Sequence, residues 1–445
     1  MRKFILIMLT ILSVLCLPVP PVMALTEPPA IVGVGGVVID AELGTVLFDK
    51  YKDEKLEPAS TTKVMTALLT LENLKLDKKV IIDEETSFTP GSRIYLLEGE
   101  EVTVDQLLHA LLIESANDAA VALAKEISGS VEEFAKLMNQ RAKELGAENT
   151  NFVNPHGLHA EGHLSTAYDL ALMAREAMKN PVFREYVMTY QYTIPATNKQ
   201  PTRYLYNTNR LIYDGLTKVD AAGVLRPAKY EGATGIKTGY TPEAGGCLVA
   251  SASRDGSEFI SVVLKSTDLG RFGDSIALLD FAFANYKSVV AVKAGDDMGT
   301  IPVRGGAVRQ ATLVLERDGG VTLPREASEE IVTTKTILEE KIKAPVTKGQ
   351  KIGVVEVYEG DVLRDQVPIV ASEEVPQGTI LSYVGIEDET AFKVFFVLKI
   401  LGAVLGALIL TLLLYILIRR QQIRKKKRLR QKRLMELAKE RNVRY

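Results

Sequence analysis

Pro58-Ala59-Ser60-Thr61-Thr62-Lys63-Val64-Met65-Thr66-Ala67-Leu68-Leu69-Thr70-Leu71-Glu72-Asn73-Leu74 carries the densest information in the chain. Pro58 and Ser60 mark a helix start, and Val64, Leu68 and Leu69 follow at helical spacing. On such a helix Ser60 and Lys63 stand at i and i+3 and share a face. A serine hydroxyl attacks poorly at neutral pH unless a base lies within hydrogen-bond reach. A desolvated lysine near other cations can lose its proton and act as that base. The helix start also places backbone N–H groups beside a developing oxyanion. Taken alone, a Ser-x-x-Lys is more often an N-cap followed by a solvated lysine.

Two further motifs change that balance. In VDQLLHALLIESANDAAVALAKEISG, residues 104–129, two apolar helical stretches meet at the polar island Glu114-Ser115-Ala116-Asn117-Asp118. Polar groups between buried helices must be hydrogen-bonded, so such an island is a cap or a site. In EGATGIKTGYTPEAGGCLVASASRDGSEFISVVLKS, residues 231–266, two apolar β-type runs flank the turn signal Arg254-Asp255-Gly256. Lys237 on such a strand can bind a carboxylate as a point charge, with Thr238 adding a hydroxyl donor. Gly239 has no side chain and lets a substrate backbone approach closely.

Ser60-Thr61-Thr62-Lys63, Ser115-Ala116-Asn117 and Lys237-Thr238-Gly239 together resemble the active site of the penicillin-binding serine acyl-transferases. Within that superfamily the chain is most similar to the low-molecular-mass penicillin-binding proteins, the serine-type D-alanyl-D-alanine carboxypeptidases. The resemblance takes in the opening GGVVIDAELGTVLFDKYKDEKLEPASTTKVMTALL, the segment Phe152–Glu176, and YNTNRL ahead of the Lys-Thr-Gly strand. Two features depart from it. Tyr240 follows Lys-Thr-Gly where some relatives have His, and the segment Ile212–Gly235 is longer than in some relatives.

The resemblance implies an α+β fold with a penicilloyl-transferase, β-lactamase-like catalytic domain, an antiparallel sheet flanked by helices. It implies that Ser60 attacks the D-Ala–D-Ala carbonyl with Lys63 as base, and that the Ser60 and Tyr240 N–H groups hold the oxyanion. Ser115 relays a proton to the leaving amine, and Asn117 holds Lys63 and the substrate amide. Lys237, Thr238 and Gly239 complete the substrate site. The expected partners are peptidoglycan stem peptides ending in D-Ala–D-Ala, with β-lactams as covalent inhibitors, and no cofactor is called for. A β-lactamase shares the trio, and a β-lactam receptor that acylates without turnover is the non-enzyme alternative.

The two ends of the chain read as membrane signals. Residues 1–24 carry Arg2 and Lys3, an apolar core from Phe4 to Leu17 and a small-residue site at Val22-Met23-Ala24, the parts of a cleaved signal peptide. Val394 to Ile418 is apolar apart from Lys399 and long enough to span a bilayer. Residues 419–445 hold thirteen Lys/Arg and two Glu, a net +11, so the tail is expected on the cytoplasmic side and the catalytic domain outside the membrane. With the tail's +11 and the leader's +2 set aside, the formal −2 of the chain becomes −15 for residues 25–418. That acidity disfavours nucleic acid as a partner.

Between the ends, residues 25–286 mix long helical patterns with strands at both termini, pointing to an α+β layer whose sheet gathers distant segments. From 287 to 386, short β-branched runs alternate with turns at Asp318-Gly319-Gly320 and Glu359-Gly360-Asp361, the texture of a small all-β domain, read as a stalk with a carbohydrate- or protein-binding role as the alternative. Cys16 falls in the leader, which leaves Cys247 alone in the mature chain, so no intramolecular disulfide can form. Cys247 sits in an apolar run as a small buried hydrophobe. His156, His159 and His163 cluster with Glu161 in NPHGLHAEGH, a spacing that raises the question of metal. Gly157 and Gly162 argue for an irregular loop instead, the resembling family carries no metal there, and no metal site is expected.

Overall fold

The computed structural model describes residues 27–379, 382 and 388–442. The signal-peptide reading of residues 1–24, Cys16 included, lies outside the described residues. The described chain divides into two compact units, the first reaching Val292 and adding Asp318–Thr334 and Glu356–Gln366.

The first unit is built on a five-stranded sheet of β1 (Gly35–Asp40), β2 (Val46–Lys50), β3 (Ala233–Thr241), β4 (Gly245–Arg254) and β5 (Ser257–Ser266). Its order is β2-β1-β5-β4-β3, so strands some two hundred residues apart in sequence lie side by side. Val37 faces Val262 and Ile39 faces Ile260 across the central antiparallel pair. Side chains alternate along each strand. Val37, Ile39, Val249, Ile260 and Val262 therefore enter one core, and Val38, Leu248, Ala250, Phe259 and Val263 enter another. A sheet buried on both faces needs helices on both, which explains why β1 and β5 read as continuous apolar runs.

On the first face pack α1 (Lys63–Asn73), α2 (Val104–Leu112), α3 (Asn117–Ser128), α4 (Val131–Glu144), α5 (Ala167–Met178) and α6 (Pro181–Met188), and on the second packs α7 (Gly270–Asn285). Helix starts are fixed locally. Thr103 and Gln106 form a reciprocal capping box on α2, Ser130 caps α4 and Thr166 caps α5. The expected helix start at Pro58–Ser60 differs in detail. Ala59–Thr62 is a 3₁₀ turn, no side chain caps it, and the α-helix proper begins at Lys63. Asp255 and Gly256 both adopt positive φ and make the hairpin turn between β4 and β5.

The long segment after Ile212 folds as a small hairpin, Lys218–Ala221 against Val224–Pro227. Tyr286–Val292 pairs with Gly319–Pro324, and Ser288 and Thr322 both donate to the buried Asp40 carboxylate, at 2.6 and 2.8 Å. Gly319 and Gly320 thus lie in a strand and not in the turn their residue types suggest. A Cβ on Gly320 would meet the Val289 carbonyl oxygen at 2.1 Å, so the residue serves close strand approach.

The second unit takes in Lys293–Arg317, Lys335–Val355 and the chain from Val367. Here Asp297–Arg304 pairs antiparallel with Gln310–Leu315, which pairs in turn with the end of Val362–Ala371, around the buried Ile301, Leu313, Val346 and Ile369. The last helix, Asp388–Asn442, is long and apolar enough over part of its length to cross a membrane.

Candidate active site

The 3₁₀ turn packs directly against the edge strand β3. A Cβ on Gly239 would lie 3.0–3.1 Å from Pro58 O, Ser60 N and Thr61 N, so only glycine allows this approach without a shift. From that turn Ser60 Oγ stands 2.9 Å from Lys63 Nζ. Lys63 is fully buried and also donates to Asn117 Oδ1 at 2.7 Å and to His156 O at 2.8 Å. Three oxygens thus fix the amine beside the serine. Burial, reinforced by the nearby Lys237 charge and opposed by Asp118, holds the Lys63 pKa well below the ordinary lysine value. A neutral amine at that position has a lone pair for the serine proton.

The polar island folds as a tight link between α2 and α3. Ser115 takes φ +62°, a strained conformation for a residue with a side chain, and Ala116 N bonds back to Ala110 O at 3.0 Å. Ser115 and Asn117 are both buried. Asn117 spans the site: Oδ1 accepts from Lys63 while Nδ2 donates to Pro90 O at 2.7 Å. Both ends of its amide are therefore held by the protein. Asp118 accepts from Ile94 N and Leu96 N at 3.2 and 3.0 Å and anchors the 90–97 segment beside the site.

On β3, Lys237 is buried and its ammonium donates to Thr238 O at 3.1 Å. Burial and the Arg271 charge push its pKa down to about 7. Among the described residues no carboxylate pairs with it, a costly state for a buried cation unless an anion arrives. Thr238 shares a hydroxyl contact of 2.7 Å with Thr208, and Thr208 N bonds to Ile113 O at 3.2 Å. Tyr240 is exposed, its side chain in solvent. The structure thus brings Ser60, Lys63 and Asn117 into one network, with Lys237, Thr238 and Gly239 on the strand packed against the serine turn.

The histidine loop forms part of the site through its backbone. His156 supplies only its carbonyl to Lys63, and Gly157, at φ +85°, passes so near that a Cβ would lie 1.8 Å from Ala59 O. His163 accepts from Val153 N at Nδ1, so Nε2 carries the proton and donates to Thr62 Oγ1 at 2.9 Å. Burial pushes His156 down to about 3 and His163 to about 4, so both rings are neutral. Among the described residues no three His, Cys, Asp or Glu side chains converge as metal ligands. Cys247 is free and buried, with its thiol pushed up to about 11 by burial.

Sequence reasoning missed two contributors. Arg271 donates through Nη1 to Gly239 O at 2.7 Å and pairs with Asp268 at 2.8 Å, bracing the strand that carries Lys237. Asp118 stands out in the sequence only as part of a polar island. Neither carries a local signal, because each acts on a segment distant in sequence.

Comparison with known proteins finds family matches for both parts of the chain. Residues 23–268 match the family model described as D-alanyl-D-alanine carboxypeptidase, and residues 286–377 match the one described as penicillin-binding protein 5, C-terminal domain. The chain is 37% identical over 369 residues to the D-alanyl-D-alanine carboxypeptidase DacF of Bacillus subtilis, covering 80% of this chain and 90% of the relative. It is 32% identical over 354 residues to DacA of Escherichia coli, covering 77% and 83%. Among solved structures, penicillin binding protein 5 of Haemophilus influenzae aligns with TM-score 0.60 at 28% identity, over 79% of this chain and 100% of that one. The Streptomyces K15 DD-transpeptidase aligns with TM-score 0.53 at 36% identity, over 58% and 100%.

Proposed function

We propose, for a chain that belongs to the D-alanyl-D-alanine carboxypeptidase family, that this serine peptidase removes the terminal D-alanine from peptidoglycan stem pentapeptides through an acyl-enzyme. The observation that carries the reading is the fully buried Lys63, within 2.9 Å of Ser60 and tied to Asn117. Neutral Lys63 takes the Ser60 proton as Oγ attacks the penultimate D-alanine carbonyl, and the Ser60 and Tyr240 N–H groups receive the oxyanion. As the C–N bond breaks, Ser115 passes a proton to the departing amine, and water then hydrolyses the ester. Lys237 and Thr238 receive the terminal carboxylate, and Asn117 keeps Lys63 aimed at Ser60 with the substrate amide alongside.

β-Lactams acylate the same serine, because their strained amide offers a similar carbonyl and carboxylate. The apolar part of the last helix, residues 394–418, anchors the protein in the membrane. The basic tail from 419 faces the cytoplasm and the catalytic unit faces outside. Incubation with a pentapeptide ending in D-Ala–D-Ala, and detection of free D-alanine, tests the activity. Deacylation after penicillin separates the alternatives: fast for a lactamase, slow on penicillin but fast on peptide for a carboxypeptidase, absent for a receptor.

A further inference from the structure

The segment Tyr206-Asn207-Thr208-Asn209 runs between the link that carries Ser115 and strand β3, and its backbone is fastened at every residue. Tyr206 N donates to Glu114 Oε2 at 3.1 Å, Asn207 N to Tyr190 O at 2.8 Å, Thr208 N to Ile113 O at 3.2 Å and Asn209 N to Asn207 Oδ1 at 2.8 Å. The two asparagines are buried and hold the turn from inside. Asn207 Nδ2 donates to Val187 O at 3.1 Å and to Thr189 O at 2.9 Å, and Asn209 Oδ1 accepts from Leu211 N at 3.2 Å. Thr208, between them, is exposed. Its hydroxyl oxygen lies 2.7 Å from that of Thr238, which is only 6% exposed. Thr208 thus joins the Ser115 link, through its N–H, to the Lys-Thr-Gly strand, through its side chain.

We propose that Thr208 is a positioning residue that aims the Thr238 hydroxyl at the terminal carboxylate of the substrate; this rests on the carboxypeptidase reading above. A hydroxyl carries one proton. Of two hydroxyls in contact, one proton is spent on the contact and one remains to be given away. If Thr238 spent its proton on Thr208, it would meet an arriving carboxylate with lone pairs alone. An ionised carboxylate only accepts, so it selects the opposite order. Thr208 then donates to Thr238, and Thr238 donates to the carboxylate, in a chain where each bond polarises the next. Among the described residues Thr208 is the one hydrogen-bond partner of the Thr238 hydroxyl. The anchored backbone of 206–209 is what holds that partner in place.

The test uses the full-length protein and a stem pentapeptide ending in D-Ala–D-Ala, with D-alanine release giving kcat and KM. Thr208→Val keeps the branched shape and removes the hydroxyl. It should raise KM about fivefold and leave kcat within about a factor of two, because the carboxylate is held alike in the ground and transition states. Thr208→Ser keeps the hydroxyl and should stay within about twofold of the wild type on both constants. Thr238→Val should lose more than Thr208→Val, and combining the two should cost nothing beyond Thr238→Val alone. Wild-type kinetics in Thr208→Val overturn the proposal, and so does a Thr208→Ser variant that loses as much as Thr208→Val. Additive losses in the double variant also overturn it, since Thr208 would then shape the loop without acting through Thr238. A wild type that releases no D-alanine strikes the carboxypeptidase reading itself, and the proposal with it.

Discussion

Lys63 and Lys237 are both buried lysines with depressed pKa values, yet the proposed chemistry needs them in opposite protonation states. Lys63 must be neutral to accept a proton, whereas Lys237 must be charged to hold a carboxylate. With Lys237 at about 7 in the free site, kcat/KM should decline as pH rises through neutrality. Substrate carboxylate favours the ammonium, so kcat should persist to higher pH, and a profile in which both fall together would contradict the assignment. Stability runs the other way. Between about 7 and the ordinary lysine value of 10.5 the unfolded chain binds more protons than the folded one, so this lysine's contribution to stability rises with pH. Lys237→Ala should cost kcat/KM the equivalent of about 2–5 kcal/mol, and amidating the substrate carboxylate should do the same to the wild type. The two losses should not add, because both remove one ion pair; an amide cleaved as well as the acid would remove Lys237 from the site. Lys63→Ala should slow acylation by penicillin by about 10²–10⁴-fold without unfolding the domain, as circular dichroism would check.

The elements meet at the loop 154–163, which clamps the turn that carries Ser60 with a backbone carbonyl, a glycine and a histidine. Gly157→Ala places a Cβ into Ala59 O at a backbone conformation alanine resists. It should destabilise the domain by about 2 kcal/mol or more in urea denaturation and slow acylation as well. His163 carries a folded pKa of about 4 against an ordinary 6.5, so its neutral form favours folding. Its contribution is intact above about 6.5 and is lost as pH falls toward 4; His163→Gln should flatten the acid limb of the stability curve over that window. Much of this level was legible in sequence. The apolar spacing after Lys63 gave a helix, and Asp255-Gly256 gave a hairpin turn. The 3₁₀ turn at Ser60 was not legible, because it answers to the approach of Gly239 and Gly157 from far along the chain. Arg271 and Asp118 were hidden for the same reason, whereas the histidine cluster drew attention for its side chains when His156 acts through its carbonyl.

At the scale of the molecule, patterning conveyed the order of parts: an α+β region, β-rich sequence after it, and an apolar helix followed by a basic one. What composition did not convey is that the chain interleaves, with Asp318–Thr334 and Glu356–Gln366 clustering with the first unit. A chain of residues 25–391 lacks the apolar helix and keeps every motif residue. It should be recovered in the soluble fraction with kcat/KM on small peptides equal to that of the full chain, and loss of activity on truncation would show that the last helix serves catalysis. In intact cells, external protease should spare the tail after Arg419, and its digestion from outside would invert the topology. The central claim is that Ser60, activated by Lys63, opens the D-Ala–D-Ala bond. Its most direct test is free D-alanine released from a stem pentapeptide by the wild type and by Ser60→Ala, with fluorescent penicillin labelling of the same two samples. Release and labelling are expected of the wild type and neither of Ser60→Ala; a Ser60→Ala protein that still releases D-alanine and still takes the label would overturn the assignment of Ser60.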